Sequence, residues 1–376
     1  MKWEKVKLGN VTDSCLGKML DQNKNKGDYQ PYLANVNVRW GEFDLEDLPL
    51  MKFEESEQER YELKYGDLVI CEGGEPGRCA IWKEQIPNMK IQKALHRVRV
   101  HDCLDYRYLF YWFLLAGKTG ELNQYFTGAT IKHMPGQKLK EVVIDKPPLE
   151  IQNRIADILS AYDDLIENNQ KQIKLLEEAA QRLYKEWFVD LRFPGHENTK
   201  IVDGVPEGWR RGLLKELISV NYGKDHKKAP DDGNIPVYGS GGLMRKCNKS
   251  LFSGEAVLIP RKGSLNNIMY VDEIFWTVDT MFYATMKQPH TAVFVYFFVK
   301  AFDMYSMNIG AAVPSMTTKI LDAMDVVIPD KETLEKFDKY AKVYFNKIKT
   351  LQGQNERLKT ARNLLLPKLM NGKVEV

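Results

Sequence analysis

The side chains of this sequence that could do chemistry suit contact with a polyanion better than bond breaking. No G-x-G-x-x-G follows a strand pattern and no G-x-x-x-x-G-K-[ST] occurs, so no nucleotide-phosphate site is announced. Glu72-Gly73-Gly74-Glu75-Pro76-Gly77-Arg78 is glycine-rich, but it opens onto Cys79-Ala80-Ile81-Trp82, which reads as a returning strand. A phosphate cradle needs a helix N-terminus at that point, so a turn between two strands is expected. H-E-x-x-H and G-x-S-x-G are absent, and no cysteine comes with a motif marking it as a nucleophile. The histidines, His96, His101, His133, His196, His226 and His290, are scattered and lack the spacing of metal ligands. No catalytic residue and no metal site is predicted.

The remaining polar chemistry is that of DNA contact. Lys90, Gln92, Lys93, His96, Arg97 and Arg99 cluster around one strand pattern, and Arg39 with Trp40 ends another. Between residues 224 and 262, eight cations (Lys224, Lys227, Lys228, Arg245, Lys246, Lys249, Arg261, Lys262) stand against four acids (Asp225, Asp231, Asp232, Glu255), an excess of four. Lys and Arg neutralise phosphates, while Arg, Lys, Asn and Gln can also read base edges in the major groove. Asn35, Asn37, Asn266, Asn267 and Thr277 offer such groups. Arg78, Thr130, Lys132, His133, Tyr238, Ser240, Ser264, Thr317, Thr318 and Lys319 complete the set of candidate DNA-binding residues. Charge clusters are commonly just solvated faces, so each residue is a candidate only. The acidic stretch 42–62 is expected to face away from DNA or towards a partner. Asp145-Lys146-Pro147-Pro148 lacks the Asn or Asp directly before the prolines, and the aromatic after them, that an adenine-methylating motif carries. It reads as a strand-to-helix junction.

Composition sets wider bounds. The 376 residues exceed one ordinary core and fit two or three domains. With 54 Lys and Arg against 51 Asp and Glu, the net charge of +3 neither demands nor excludes nucleic acid. Cys15, Cys71, Cys79, Cys103 and Cys247 are odd in number and form no C-x-x-C, which argues against a disulfide framework and for a reducing, cytoplasmic setting. No apolar run reaches about 18 residues, so no membrane span is predicted. The N-terminus, Met1-Lys2-Trp3-Glu4-Lys5, has no apolar core of a secretory signal.

Two long helices organise these loops. One apolar run reads Ile155, Leu159, Tyr162, Ile166, Asn169, Ile173, Leu176, Ala180, Leu183, Trp187. The other reads Phe337, Ala341, Tyr344, Ile348, Leu351, Asn355, Leu358, Arg362, Leu365, Leu369. Steps alternating between four and three make a coiled-coil seam, and every position of the second list is the first plus 182. The helices are placed at 148–190 and 330–376. Mixed α/β regions precede them at 1–147 and, with a linker, at 191–329. Tyr32–Val38, Leu68–Cys71, Cys79–Trp82 and Ala94–Val100 read as strands, and Tyr106–Leu115 as a buried helix. Gly310–Pro329 matches Gly128–Pro147 at the same offset, and Gly254 matches Gly66 at 188. The chain is therefore an internal duplication, of α+β class.

These features together resemble the DNA-specificity (S) subunit of type I restriction–modification systems. The likeness rests on Pro147-Pro148-Leu149-Glu150-Ile151-Gln152-Asn153-Arg154-Ile155-Ala156-Asp157-Ile158-Leu159, Leu364-Leu365-Leu366-Pro367-Lys368-Leu369-Met370-Asn371-Gly372, Gly66-Asp67-Leu68-Val69-Ile70 and Thr127-Gly128-Ala129-Thr130-Ile131. The second repeat departs from the first motif with Pro329-Asp330-Lys331-Glu332-Thr333-Leu334-Glu335. The resemblance implies two target recognition domains, each reading half of a bipartite double-stranded DNA site, and an antiparallel coiled coil that sets the spacer. In it Asn169 would face Leu351 and Asn355 would face Ile173, polar seam residues of the kind that fix register. It implies no catalysis and no cofactor in this chain. Two modification (methyltransferase) subunits would bring S-adenosylmethionine, and restriction subunits would bring ATP and Mg. The competing expectations are a metal-dependent nuclease assembled from scattered acids and a coiled-coil scaffold without a DNA role.

Overall fold

The computed structural model describes residues 3–19, 21, 25–308 and 314–374. Gly310, the sequence counterpart of Gly128, lies outside them. The chain forms two compact units: residues 1–168 with 354–376, and residues 169–353. Among the described residues, no helix is long and apolar enough to cross a membrane.

In the first unit, Glu4–Lys7 pairs antiparallel with Val143–Lys146. A four-stranded antiparallel sheet follows in the order Thr12–Leu16, Leu95–Val100, Leu68–Cys71, Cys79–Ile81. The helix Tyr106–Thr119 packs on one face of it. Asp105 caps that helix by accepting from the Arg107 and Tyr108 amides at 2.7 and 2.9 Å. Gly120, at φ +75°, ends it. Tyr108 through Leu114 are all buried, so this helix is apolar nearly all round, as its sequence predicts. A smaller sheet, Leu50–Phe53, Asp28–Leu33, Lys90–Ile91, covers the other face over Leu33, Val69, Cys71 and Trp82. The strand expected at 32–38 lies earlier and gives way to a 3-10 turn at Asn35–Asn37. The cause is local: the Asn37 side chain accepts from the Ala34 amide at 2.9 Å and donates to the Asp44 carbonyl at 3.1 Å, turning the backbone away from a ladder.

The second unit repeats this plan. Arg210–Leu213 pairs with Asp325–Ile328. Its six-stranded sheet runs Ile218–Tyr222, Met281–Met286, Phe252–Pro260, Met269–Thr277, Ile235–Gly239, Gly242–Cys247, and the helix Ala292–Lys300 packs on it. The registers carry over as well as the order. Thr12↔Val100 and Leu16↔His96 become Ile218↔Met286 and Tyr222↔Phe282, shifts of 206 and 186. Leu68↔Val98 becomes Val257↔Ala284, so the central strand shifts by 189 (257 − 68), one more than the glycines before it suggest. That residue matters because a slip of one inverts a strand's faces. At 189, Leu68 and Ile70 correspond to Val257 and Ile259, all facing the helix-side core. Val69 and Leu258 both face the opposite core.

The long helices are Leu149–Tyr184, continued by a π-turn at Lys185–Val189, and Lys331–Met370. At about 1.5 Å per residue they span roughly 54 and 60 Å. Their predicted seam residues are buried (Ile155, Leu159, Ile166, Asn169, Phe337, Ile348, Leu351, Asn355) or half-buried (Tyr162, Ile173, Leu176, Leu183, Tyr344, Leu358, Leu365). In the first unit, Ile155 and Leu159 share a core with Leu366 and Leu369. In the second, Ala180 and Tyr184 share one with Leu334 and Phe337, and the Trp187 and Phe337 rings lie 5.8 Å apart. The start of each helix therefore meets the end of the other, and the pair is antiparallel.

The two ends of the pair differ chemically. In the first unit the Tyr111 hydroxyl donates to Asp163 at 2.6 Å, and the Arg362 guanidinium closes on the same carboxylate. Burial, then the Asp163 charge, push the Tyr111 phenol far above its ordinary range, so it stays a donor. The corresponding residues of the second unit are Phe297, Phe345 and Ala180, with the two rings 6.0 Å apart. Asp163→Ala should strand Arg362 and Tyr111 and lower stability by about 2 kcal/mol in urea unfolding. The triple variant Tyr111→Phe, Asp163→Phe, Arg362→Ala, which copies the apolar set, should recover most of that loss.

Candidate nucleic-acid interface

Three loops of the first unit meet around one glycine turn. The Asn35 amide donates to the Gly73 carbonyl. Gly73 forms a β-bridge with His133. Thr127 and His133 exchange two backbone hydrogen bonds of 2.8 Å, closing a small hairpin. The Trp40 indole donates to Glu75 at 2.7 Å. A Cβ at Gly73 would lie 2.8 Å from His133 Nδ1, so a side chain there would displace the His133 ring. A cleft of about 490 Å³ opens beside this cluster, lined by Trp40, Pro76, Leu122, Phe126, Ile131 and Lys132 among others.

The second unit builds the same arrangement from different residues. Lys262 forms a β-bridge with Ser315, and the Met316 amide donates to the Arg261 carbonyl at 2.9 Å. Asn267 Nδ2 donates to the Ser240 carbonyl at 2.9 Å. Arg261 lies over the Tyr222 ring, 5.5 Å from its centroid, and donates to the Asp279 carbonyl.

Some predicted contact residues stand exposed on or beside these loops. Thr130, Lys132 and His133 occupy the first unit's hairpin, with Lys93 and Arg39 also exposed. In the second unit Lys224, Lys262, Ser264 and Lys319 are exposed, and Arg261, Ser240 and Thr318 are half-buried. Asn266 is exposed but engaged, donating to Asp303 and accepting from the Met304 amide. Gln92 is half-buried and accepts weakly from the Ala94 amide.

Other candidates serve the fold instead. Lys90 is fully buried and donates to Glu62 at 2.6 Å. Arg97 is buried and donates to the Glu59 and Arg60 carbonyls. His96 is buried, with Nε2 at 2.9 Å from the Met134 carbonyl. Asn37 holds its own turn, Thr277 is fully buried, and Thr317 caps the short helix Thr318–Asp322. Arg245 pairs with Asp231 and donates to the His226, Ala229 and Lys246 carbonyls. The Tyr238 hydroxyl donates to Glu273 at 2.6 Å. Arg78, Asn35 and Asn267 hold loop to loop. Composition cannot separate such residues from exposed ones, because a buried lysine and a solvated one are spelled alike. Apolar side chains at the loops were missed for the converse reason. Val36, Ile131, Tyr222, Leu243, Met244 and Tyr305 are 46 to 68 % exposed, although apolar side chains carry no contact chemistry that a search for cations and amides would pick out. Among the described residues, no group of three His, Cys, Asp or Glu could hold a metal ion.

The model of the type I restriction modification DNA specificity domain matches residues 1–178 and again 206–360. The MjaIX specificity subunit of a type I restriction enzyme from Methanocaldococcus jannaschii is 27% identical over 352 residues, covering 83% of this chain and 78% of its own. The MjaVIII specificity subunit from the same organism is 24% identical, covering 100% and 93%. The crystal structure of the S subunit of a type I restriction–modification system from M. genitalium shares the fold at a TM-score of 0.60 and 18% identity, covering 98% of this chain and 96% of that one.

Burial of His96 has a pH consequence. Desolvation holds its imidazole below the ordinary value of 6.5, so the fold favours the neutral ring. The unfolded chain takes up the proton first, and this stability, full above about pH 6.5, is lost as pH falls towards the depressed folded value. Chemical unfolding at pH 7.5 and 5.5 should show a larger loss for the native chain than for His96→Gln, which does not titrate. Equal losses would contradict this.

Proposed function

The chain belongs to the type I restriction–modification DNA specificity family, and from that premise we propose that its two loop clusters each read one half of a bipartite target. Its place in such a system is that of the specificity subunit. The observation that carries the two-headed reading is the repetition, within one chain, of the same glycine-turn cluster on the same strand registers. Each cluster is carried by a unit that also contains one end of the antiparallel helix pair. Exposed Lys132 and Lys262 would neutralise phosphates and set orientation, while neighbouring loop residues would read base edges.

The helix pair would act as the ruler between half-sites and offer its outer faces to two modification (methyltransferase) subunits. Those partners would hold S-adenosylmethionine, and restriction subunits would use ATP and Mg. The chain itself would contribute recognition and spacing, with no catalytic step. One heptad of helix is about 10 Å long, or about three base pairs of duplex at ~3.4 Å each.

Inserting one heptad into each long helix should lengthen the spacer of the methylated motif by about three base pairs and leave both half-sites unchanged. Replacing residues 1–147 with those of another family member should change one half-site only. Methylome sequencing reads both outcomes, and a swap that altered both halves would sink the modular reading. At single residues, Lys132→Ala and Lys262→Ala should each weaken binding to all duplexes alike and reduce the salt slope by about one. Lys90→Ala should instead lower the melting temperature, since it strands Glu62.

A further inference from the structure

Resting on that reading of the two loop clusters, we propose that Arg78 and Asn267 are the positioning residues that aim the DNA-reading loops, one in each unit. They occupy the same place. Arg78 plus the central-strand shift of 189 is Asn267. Their acceptors correspond too. The parallel pairs Tyr32↔Lys90 and Leu33↔Ile91 become Val237↔Trp276 and Tyr238↔Thr277, a shift of 205 that carries Asn35 onto Ser240. At this shared place both units make the same contact. Arg78 donates to the Asn35 carbonyl at 3.1 Å and to its side-chain oxygen at 2.8 Å. Asn267 donates to the Ser240 carbonyl at 2.9 Å.

The glycine turn beneath is matched as well. Gly74 and Gly263, again 189 apart, have φ of +74° and +87°. A Cβ there would lie 3.1 Å from Asn35 Nδ2 and 2.8 Å from Ser240 Oγ. Each loop therefore sits directly on its glycine and is fastened by one side chain from the strand side of the turn. Just past each fastening point the chain is presented to solvent: Val36 is 68% exposed, and Leu243 and Met244 are 59% and 54% exposed.

A cation in one repeat and a neutral amide in the other exclude charge as the shared property. What remains common is a hydrogen bond that fixes loop position. The Arg78 side chain is only 17% exposed and is also engaged by Glu75, so it cannot reach a phosphate without releasing the loop. A loop held this way places its contacts to within a fraction of an ångström, which base discrimination requires.

The test uses the full chain assembled with its modification subunits. Affinities of Arg78→Ala, Arg78→Lys and Asn267→Ala are measured for the cognate duplex, for duplexes altered in one half-site or the other, and against salt. Melting temperatures are taken alongside. Arg78→Ala should lose discrimination at one half-site by about tenfold, with the other half-site and the salt slope unchanged. Asn267→Ala should do the same at the opposite half-site. Arg78→Lys should behave like Arg78→Ala, since an ammonium does not reproduce the guanidinium's two-acceptor geometry. Unchanged discrimination, equal loss at both half-sites, or a salt slope lowered by about one and restored by Arg78→Lys would each overturn the proposal. Should the Arg78 variants fail to fold, Asn267→Ala decides it in either direction. A native assembly without sequence preference would overturn the specificity reading itself. A native assembly that discriminates, with variants that do so equally well, overturns only the positioning role.

Discussion

Burial of an apolar seam along two antiparallel helices is the constraint on which the rest depends. Each helix alone would expose a stripe of Ile, Leu and aromatic side chains. Each half of the pair removes that stripe from water and adds it to the core of the unit around it, Ile155 and Leu159 with Leu366 and Leu369, Tyr184 with Phe337. At about 25 cal/mol per Å² of apolar area, seams of this length outweigh any single loop contact. The loops are thereby free to vary in sequence while their mounts are kept.

The polar set at Asp163 adds direction to this packing. Tyr111, Asp163 and Arg362 answer one another only where the start of the first helix meets the end of the second. The same places in the second unit are filled by Phe297, Phe345 and Ala180. A slip along the seam would bury an arginine or an aspartate against apolar neighbours, at a cost far above that of a mismatched leucine. A duplicated chain has two nearly equivalent helices to pair, and this asymmetry distinguishes them. Asn169 and Asn355, both buried at the seam, are of the same character.

Much of this was legible in residue order because it is periodic. The heptad seam, the offset of 182, the buried aromatic helix and the absence of familiar catalytic motifs all follow from spacing alone. What depended on a single residue was not. Aligning Gly66 with Gly254 puts the central strand one place out, and only the pairing of Leu68 and Val257 with their neighbours corrects it. The strand expected through Asn35 and Asn37 gives way to a turn because the Asn37 side chain bonds the local backbone in place of a ladder. The charged candidates divide by burial: Lys90 is fixed inside by Glu62, while Lys132 and Lys262 project outward.

On the proposed reading, one chain carries two readers and the helix pair sets the spacer of their target. Methylome sequencing of a host expressing the native chain with its modification subunit tests it most directly. The expected result is a methylated motif of two unlike halves divided by a non-specific spacer of constant length. A contiguous motif, two identical halves, or a spacer that varied from site to site would contradict it.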